Sequence, residues 1–345
     1  MSNSLPTFLA AIGAELTQDL HCQFTNKTGE AQATHNIIVP LTHYGLLSIE
    51  GSDTSTFLQG QTTCDINAID EQQSLPGAYC TPKGRMICNF RVARSTPQHY
   101  YLRMRRPLVI STKAVFSKYI VFSKAEQHDA SDDYLLLGLY GERSRATLEK
   151  TFGSAPKTQN QSQINNGIIT MQLDEEGLCY ECWVPHAQCS QLWTQLSQEL
   201  SPVDTVAWER LCIRRGLGEV TKQTVETFIP QMLNYQLTGE INFKKGCYTG
   251  QEIVARMHYR GKLKRHMYRL ALDINAPAPG TELRTEDGSQ SIGNIVNAIN
   301  NSDSGCEALA VMTIDSTINN TLIIGSNPTP VKILSLPYAI NTKDT

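Results

Sequence analysis

The chain has 345 residues, 40% of them hydrophobic and 18% charged, with a formal net charge of −3 at pH 7. That length predicts two or three domains with sizeable cores, and the composition excludes global disorder. The slight acidic balance excludes a wholesale cationic coat for nucleic acid, although a local patch can still hold an anion.

The ten cysteines, Cys22, Cys64, Cys80, Cys88, Cys179, Cys182, Cys189, Cys212, Cys247 and Cys306, follow no regular spacing and sit in a long chain. A disulfide framework is therefore not expected. The opening "MSNSLPTFLAAIGAEL" has no Lys or Arg ahead of its apolar stretch, which Glu15 interrupts, so a signal peptide is not expected. No run approaches the ~18 apolar residues that span a bilayer. These features predict a cytoplasmic protein with mostly free thiols and no membrane partner.

In chain order, a short amphipathic helix precedes a polar linker, "TNKTGEAQATHN". "YGLLSIEG" alternates as a strand, and "SDTSTFLQG" reads as a helix with a polar N-cap and Gly60 as its stop. "GAYCTPKGRMICNFRVAR" reads as a hairpin, with Pro82, Lys83 and Gly84 turning between apolar arms. "YYLRM" is a strand, "PLVISTKAVFSKY" a helix entered at Pro107, "DYLLLGLYG" a buried strand and "ERSRATLEKTF" a helix. The strands "GIITMQL" and "LCYECWV" follow, then the helices "AQCSQLWTQLSQEL" and "DTVAWERLCIRRG", the last ending at Gly216. Strands, helices and hairpins mix without strict alternation, which favours α+β layers over a doubly wound parallel sheet. Beyond residue 262, "HMYRLALDI", "TELRTED", "GSQSIGNIVNAIN", "EALAVMTI" and "TLIIG" are short alternating segments between turn residues, the pattern of a small all-β barrel or sandwich. The expected organisation is an N-terminal extension (1–35), an α+β region (36–262) with subdomain breaks near 130 and 200, and a C-terminal β-barrel (263–345).

"KKGCYTGQE" stands apart from this pattern. "GEINFKKG" reads as a strand ending in a glycine turn, and "TGQEIVARMHYRG" as a helix. Thr249 and Glu252 have the T-x-x-E spacing of a capping box, which would put Cys247 within two residues of a helix N-terminus. Unpaired N–H groups there, with Lys244 and Lys245, favour thiolate over thiol. The ordinary alternative is a small, half-buried turn residue, and local chemistry alone leaves both open. Between Lys244 and Arg269, eight basic residues (Lys244, Lys245, Arg256, Arg260, Lys262, Lys264, Arg265 and Arg269) face one acid, Glu252, a local excess of +7 inside an acidic chain. Either a solvated face or a site for a phosphate backbone or poly-carboxylate fits that excess.

"INFKKGCYTGQEIVARMHYRGKLKR" closely resembles the signature of the YgfZ family of folate-binding, tRNA-modifying proteins, relatives of the aminomethyltransferase (T-protein) of the glycine cleavage system. "FLQGQTTCDI", "AYCTPKGRMICNFRV", "KYIVFSK" and "FIPQMLNYQ" fit as well, and the resemblance runs from about residue 38 to "LPY". It implies a T-protein-like multi-domain ring around a central folate cavity, with the C-terminal barrel as its last part. It implies tetrahydrofolate as ligand and a monomer that supports iron–sulfur client proteins, including a tRNA-thiomethylating enzyme, with a tRNA contact in prospect. The signature residues Lys245, Gly246, Cys247, Tyr248, Thr249, Gly250, Gln251 and Glu252 would then carry a functional thiol at Cys247. The basic patch would be Lys244, Arg256, Arg260, Lys262, Lys264 and Arg265. Two aromatic positions implicated in folate binding fall on Tyr44 and Trp208, where a flat ring would stack on the ligand.

Two departures from the relatives stand out. The T-protein carries acidic residues after a Gly-Gly turn, one an aspartate that assists transfer. Here "PKGRMICNF" offers Cys88 and Asn89, which disfavours the alternative activity, a tetrahydrofolate-dependent one-carbon transferase. Arg214 in "CIRRG" stands where the family often has a pterin-pairing glutamate, and a guanidinium cannot accept N–H donors. A metal site is not expected at Cys179, Cys182, His186 and Cys189. The C-x-x-C lies in a strand-like run whose positions i and i+3 face opposite sides. His258 and His266 read as parts of the charged face.

Overall fold

A computed structural model describes residues 5–25, 35–302, 304–313 and 321–340. The predicted linker 25–36 lies mostly outside the described residues. The chain divides into two compact units. The first comprises residues 1–58, 65–76 and 90–208, the second residues 59–64, 77–89 and 209–345.

The first unit is built on two sheets. One runs in the order Ser162–Asn165, Ile168–Gln172, Cys179–Pro185, Tyr134–Tyr140, Ile37–Pro40 and Ser201–Pro202. Its pairings are antiparallel except the last, which is parallel. Strands this apolar need cover: Leu137, Leu139, Tyr180, Cys182 and Val184 point into one core with Leu192, Trp193 and Leu196 of the Cys189–Leu196 helix. Phe8, Leu9 and Cys22 join that core from the Leu5–Ala11 helix and the Ala14–Leu16/Cys22–Phe24 hairpin.

The other sheet has the order Leu75–Cys80, Met86–Thr96, His99–Arg105, Tyr44–Glu50 and Glu126–Asp129, and the turn end of its first hairpin counts with the second unit. The Arg106–Ile120 helix covers this sheet. Pro107 sits in its first turn, and Leu108, Thr112, Phe116 and Ile120 recur every fourth residue on its buried side.

In the second unit, six strands close into a barrel in the order His266–Leu272, Cys306–Met312, Ser291–Asn300, Glu282–Arg284, Thr321–Ile324 and Asn327–Leu334. Leu270, Leu272, Leu283, Ile295, Ala308, Ala310 and Met312 alternate inward and fill it. The mixed helix-and-strand architecture and the closed C-terminal barrel agree with the α+β reading.

Several local expectations are corrected. "GEINFKKG" forms no strand beyond the Tyr235–Thr238 helical turn: the Asn242 side chain accepts the N–H groups of Lys244 (2.8 Å) and Lys245 (3.1 Å), closing a turn that competes with extended pairing. The helix after the signature is Gln251–Tyr259, and its N-cap is Gly250 at φ 86°, with no side-chain cap bond. The Thr249–Glu252 capping box is therefore not formed, and Cys247 lies three residues before the N-cap. The helix expected to stop at Gly60 runs to Gln61.

Candidate functional site

Each unit carries one constellation. In the second, three of the family-like stretches pack against the signature segment and the helix and strand that follow it. The Lys245 side chain turns inward, 8% exposed. Its ammonium donates to the carbonyls of Gln59 (2.9 Å), Thr62 (2.6 Å) and Cys64 (2.7 Å) and stands 5.2 Å from the centre of the Tyr248 ring. Three carbonyls and a π face are what a buried ammonium needs. Backbone bonds continue the seam: Asn242 N–H to Thr63 O (2.9 Å) and Thr249 N–H to Gly60 O (3.1 Å). The Thr63 hydroxyl donates to Glu240 O (2.6 Å) and the Thr249 hydroxyl to Gln61 Oε1 (3.2 Å). The segment 59–64, inside "FLQGQTTCDI", is thus the bed of the signature loop.

The second stretch, "AYCTPKGRMIC", packs under the start of the Gln251–Tyr259 helix. A methyl group on Gly250 would come within 2.5 Å of Thr81 O, and one on Gly84 within 2.9 Å of Ile253. Both glycines also hold positive φ, 86° and 70°, so only a residue without Cβ allows this close approach. From the third stretch, "FIPQMLNYQ", the Gln231 amide donates to Val254 O (2.6 Å) and Asn234 to Met267 O (2.8 Å).

The loop so held presents Cys247 to solvent. It is the exposed cysteine of the ten, while Cys212 is partly exposed and the other eight are buried. Gln251 reaches back over it to Gly246 O (3.5 Å). Gly246 is exposed, and Glu252 is exposed in the first helical turn, where its charge suits the helix dipole. Tyr248 is buried, and burial with the neighbouring Cys80 pushes its phenol well up, keeping it neutral. Lys245, expected to help ionise Cys247, instead spends its charge on backbone carbonyls.

The basic residues divide. Lys244, Arg256, Arg260, Lys262 and Lys264 are exposed. Arg265 is half-buried and donates to Ser291 O at 3.4 Å. Arg269 is bound to Glu307, Nη2 to Oε2 at 2.5 Å. The other oxygen of Glu307 takes Arg214, at 2.8 Å from Nη2 and 3.1 Å from Nε. Burial alone would raise the Glu307 carboxyl, but the two guanidinium groups outweigh it and hold the carboxyl below its ordinary range. Arg214, at the glutamate position of the relatives, therefore comes with a carboxylate of its own. Asn89 is committed too, its Oδ1 accepting Val220 N–H at 2.8 Å, and Cys88 is fully buried.

In the first unit, Tyr44 and Trp208 approach one ionic group. Trp208, 2% exposed on the Thr205–Arg214 helix, lays its ring where a side chain on Gly138 would be, 2.5 Å from that absent methyl. Gly138 is the cross-strand partner of Glu181, so the Glu181 side chain stands on the same sheet face as the Trp208 ring. Glu181, 1% exposed, pairs with Arg103 at 3.0 Å and accepts Trp183 Nε1–H at 3.0 Å. The Arg103 guanidinium lies 4.0 Å over the ring of Tyr44, which is 3% exposed and 3.9 Å from the His43 ring. The aromatic residues were legible from the resemblance; Arg103 and Glu181 were not named. Their signal was present as buried charge in two apolar strands, Arg103 beside Arg105 in "HYYLRMR" and Glu181 in "CYECWVP".

The other sulfur-rich stretch is core. Cys182 and Cys189 pack into the first unit's cluster, and burial pushes both thiols up to about 12. Among the described residues no group of three or more Cys, His, Asp or Glu could hold a metal ion. His258 is exposed and stacked on Phe243, whereas His266, expected on the charged face, is buried at the start of the barrel.

The family model of the GCVT N-terminal domain matches residues 18–235. The tRNA-modifying protein YgfZ of Enterobacter sp. (strain 638) is 32% identical over 310 residues, covering 88% of this chain and 93% of that protein. The chain belongs to the YgfZ family, within the GCVT fold. Among solved structures, the glycine cleavage system aminomethyltransferase T of Bartonella henselae superposes with a TM-score of 0.71 at 15% identity, covering 88% of this chain and 86% of that one. At that identity the likeness speaks for the fold alone, which is T-protein-like. No helix among the described residues is long and apolar enough to cross a membrane.

Proposed function

We propose that this YgfZ-family protein binds tetrahydrofolate and supports the assembly or repair of iron–sulfur enzymes, including one that thiomethylates tRNA, with Cys247 as its working thiol. One observation carries this reading: the 59–64 segment and the Thr81–Gly84 turn hold the signature loop at its two ends, and that loop presents the exposed cysteine among the ten. An exposed thiol is open to a transient metal bond or to exchange with a client's disulfide, whereas the eight buried thiols are not.

For the ligand, the donor set of the first unit fits a reduced pterin. Glu181 is a carboxylate of the kind that accepts a pterin's N–H donors, and Tyr44, through Arg103, and Trp208, on the same sheet face, are the aromatic surface associated with it. Arg103 pairs with Glu181 at 3.0 Å and fixes its orientation. Bound tetrahydrofolate would supply one-carbon-carrying nitrogens, and the protein residues would bind and orient the ring.

A Cys247→Ser variant, expressed in cells lacking the native gene, is expected to leave tRNA thiomethylation unrestored; full restoration refutes the thiol. Calorimetry with tetrahydrofolate is expected to give heat and quench tryptophan emission, and silence in both removes the folate.

A further inference from the structure

Phe243 and His258 stack with ring centres 3.7 Å apart and planes 13° from parallel. Tyr259 stands edge-on to both, at 6.2 Å and 4.7 Å, with 66% of its surface exposed. Five exposed cations surround this cluster in sequence: Lys244 beside Phe243, Arg256 in the helix and Arg260 at its C-cap, and Lys262 and Lys264 just beyond it. None of the five enters an ion pair among the described residues, although Lys150 and Arg284 elsewhere on the surface do. Glu252 is the one acid in the stretch.

A solvated charged face has no use for an exposed tyrosine beside a stacked aromatic pair, since that apolar surface costs free energy in water. Cations tracking a backbone, interleaved with rings that continue a stack, are what an unpaired nucleic acid requires. A duplex hides its base faces, and an acidic polypeptide has no flat rings to stack, so both fit the aromatic half of the patch less well.

We propose that the cluster Phe243–His258–Tyr259, with Lys244, Arg256, Arg260, Lys262 and Lys264, is a docking surface for an unpaired stretch of RNA. The rings take bases and the cations take phosphates. The surface stands independently of the thiol and folate readings, because none of its residues bonds to Cys247, Tyr44 or Trp208 in the structure.

The test is fluorescence anisotropy on the full chain with a labelled twelve-nucleotide single-stranded RNA, the same sequence as a duplex, and poly-glutamate as competitor. Single-stranded RNA is expected to bind tightest. Its affinity should fall with salt at a logarithmic slope of about −0.7 per phosphate neutralised, or roughly −3 for four or five contacts. Tyr259→Ala should weaken binding at least ~5-fold with the salt slope unchanged, because stacking is lost and charge is not. A triple Arg260→Ala, Lys262→Ala, Lys264→Ala variant should reduce the slope by about 2. Thermal melts of both variants should match the parent, since the substituted side chains are solvent-facing. Three outcomes overturn the proposal: duplex binding as tight as single-stranded, poly-glutamate competing as well as RNA, or Tyr259→Ala leaving affinity unchanged.

Discussion

Replacing Lys245 with Met is the sharpest test of how the signature loop is built. Methionine keeps the unbranched apolar stem and removes the ammonium alone. Three carbonyls, those of Gln59, Thr62 and Cys64, then lose a charged donor at 2.6–2.9 Å in a place 8% exposed. Hydrogen bonds to a charged group contribute ~1.5–3 kcal/mol each, so three give about 5–9 kcal/mol before the ammonium's own desolvation is subtracted. A net loss of ~3–4 kcal/mol remains, a large part of the ~5–15 kcal/mol that holds a domain folded. For a unit of this size that lowers the melting temperature by roughly 6–16 °C. Differential scanning calorimetry reads the shift, and limited proteolysis reports whether residues 239–250 open first. Lys244→Met, on an exposed side chain of the same charge, is the control and should move neither. A Lys245→Met protein melting within ~1 °C of the parent, with the loop resistant to protease, would refute the inward lysine as the clasp.

Other consequences can be checked directly. Native protein titrated with an aromatic disulfide should release one fast equivalent of thiolate chromophore, which Cys247→Ser should abolish, and at most one slower equivalent from the partly exposed Cys212; a third equivalent contradicts the burial of the other eight thiols. Gly138→Ala puts a methyl 2.5 Å from the Trp208 ring, so ~1–3 kcal/mol of overpacking and a shifted tryptophan emission are expected, and an unchanged spectrum counts against the contact. Glu307 has its carboxyl depressed below the ordinary 4.5 by Arg214 and Arg269 against the effect of burial, so its stabilisation is present above that value and lost as pH falls through the depressed one. Acid unfolding below about pH 4.5 should therefore flatten in Glu307→Gln, and an identical pH profile would show that the pair does not contribute.

How much of this was legible depends on whether a feature is local. The Arg106–Ile120 helix announces itself by its one-sided apolar stripe and by Pro107, and the strands Tyr44–Glu50 and Tyr134–Tyr140 by short apolar runs that are buried on both faces. The last barrel strand, Asn327–Leu334, carries Pro328 and Pro330 and was not expected; they fit because the strand's hydrogen bonds to Thr321–Ile324 and His266–Leu272 leave room for missing donors. The edge strand Glu126–Asp129 is wholly polar and exists through its neighbour Tyr44–Glu50. At the site, T-x-x-E gave a capping box on paper. The glycine won, because close contact with Thr81 demands a residue without Cβ at the cap. The inward Lys245 was illegible for the same reason: its three acceptors lie more than 180 residues away in sequence.

The hairpin that carries Cys88 and Asn89 bears on the one-carbon alternative. A transferase at that position needs a group able to stabilise a cation or move a proton, and a carboxylate is the economical choice. Asn89 is neutral at every pH, and its oxygen already accepts the Val220 N–H, so it works as a clamp on the 218–220 segment. Cys88 is fully buried beside Cys80, whose thiol burial pushes far up, leaving that pair as packing. Arg214 repeats the pattern: the family's carboxylate is exchanged for a cation, and Glu307 neutralises it from the barrel. Each departure from the transferase pattern is thus absorbed by a partner that keeps the T-protein-like fold intact while removing an ionisable group from solvent or neutralising it. In the second unit the exposed thiol is that of Cys247, on a loop held by the 59–64 segment and the Thr81–Gly84 turn.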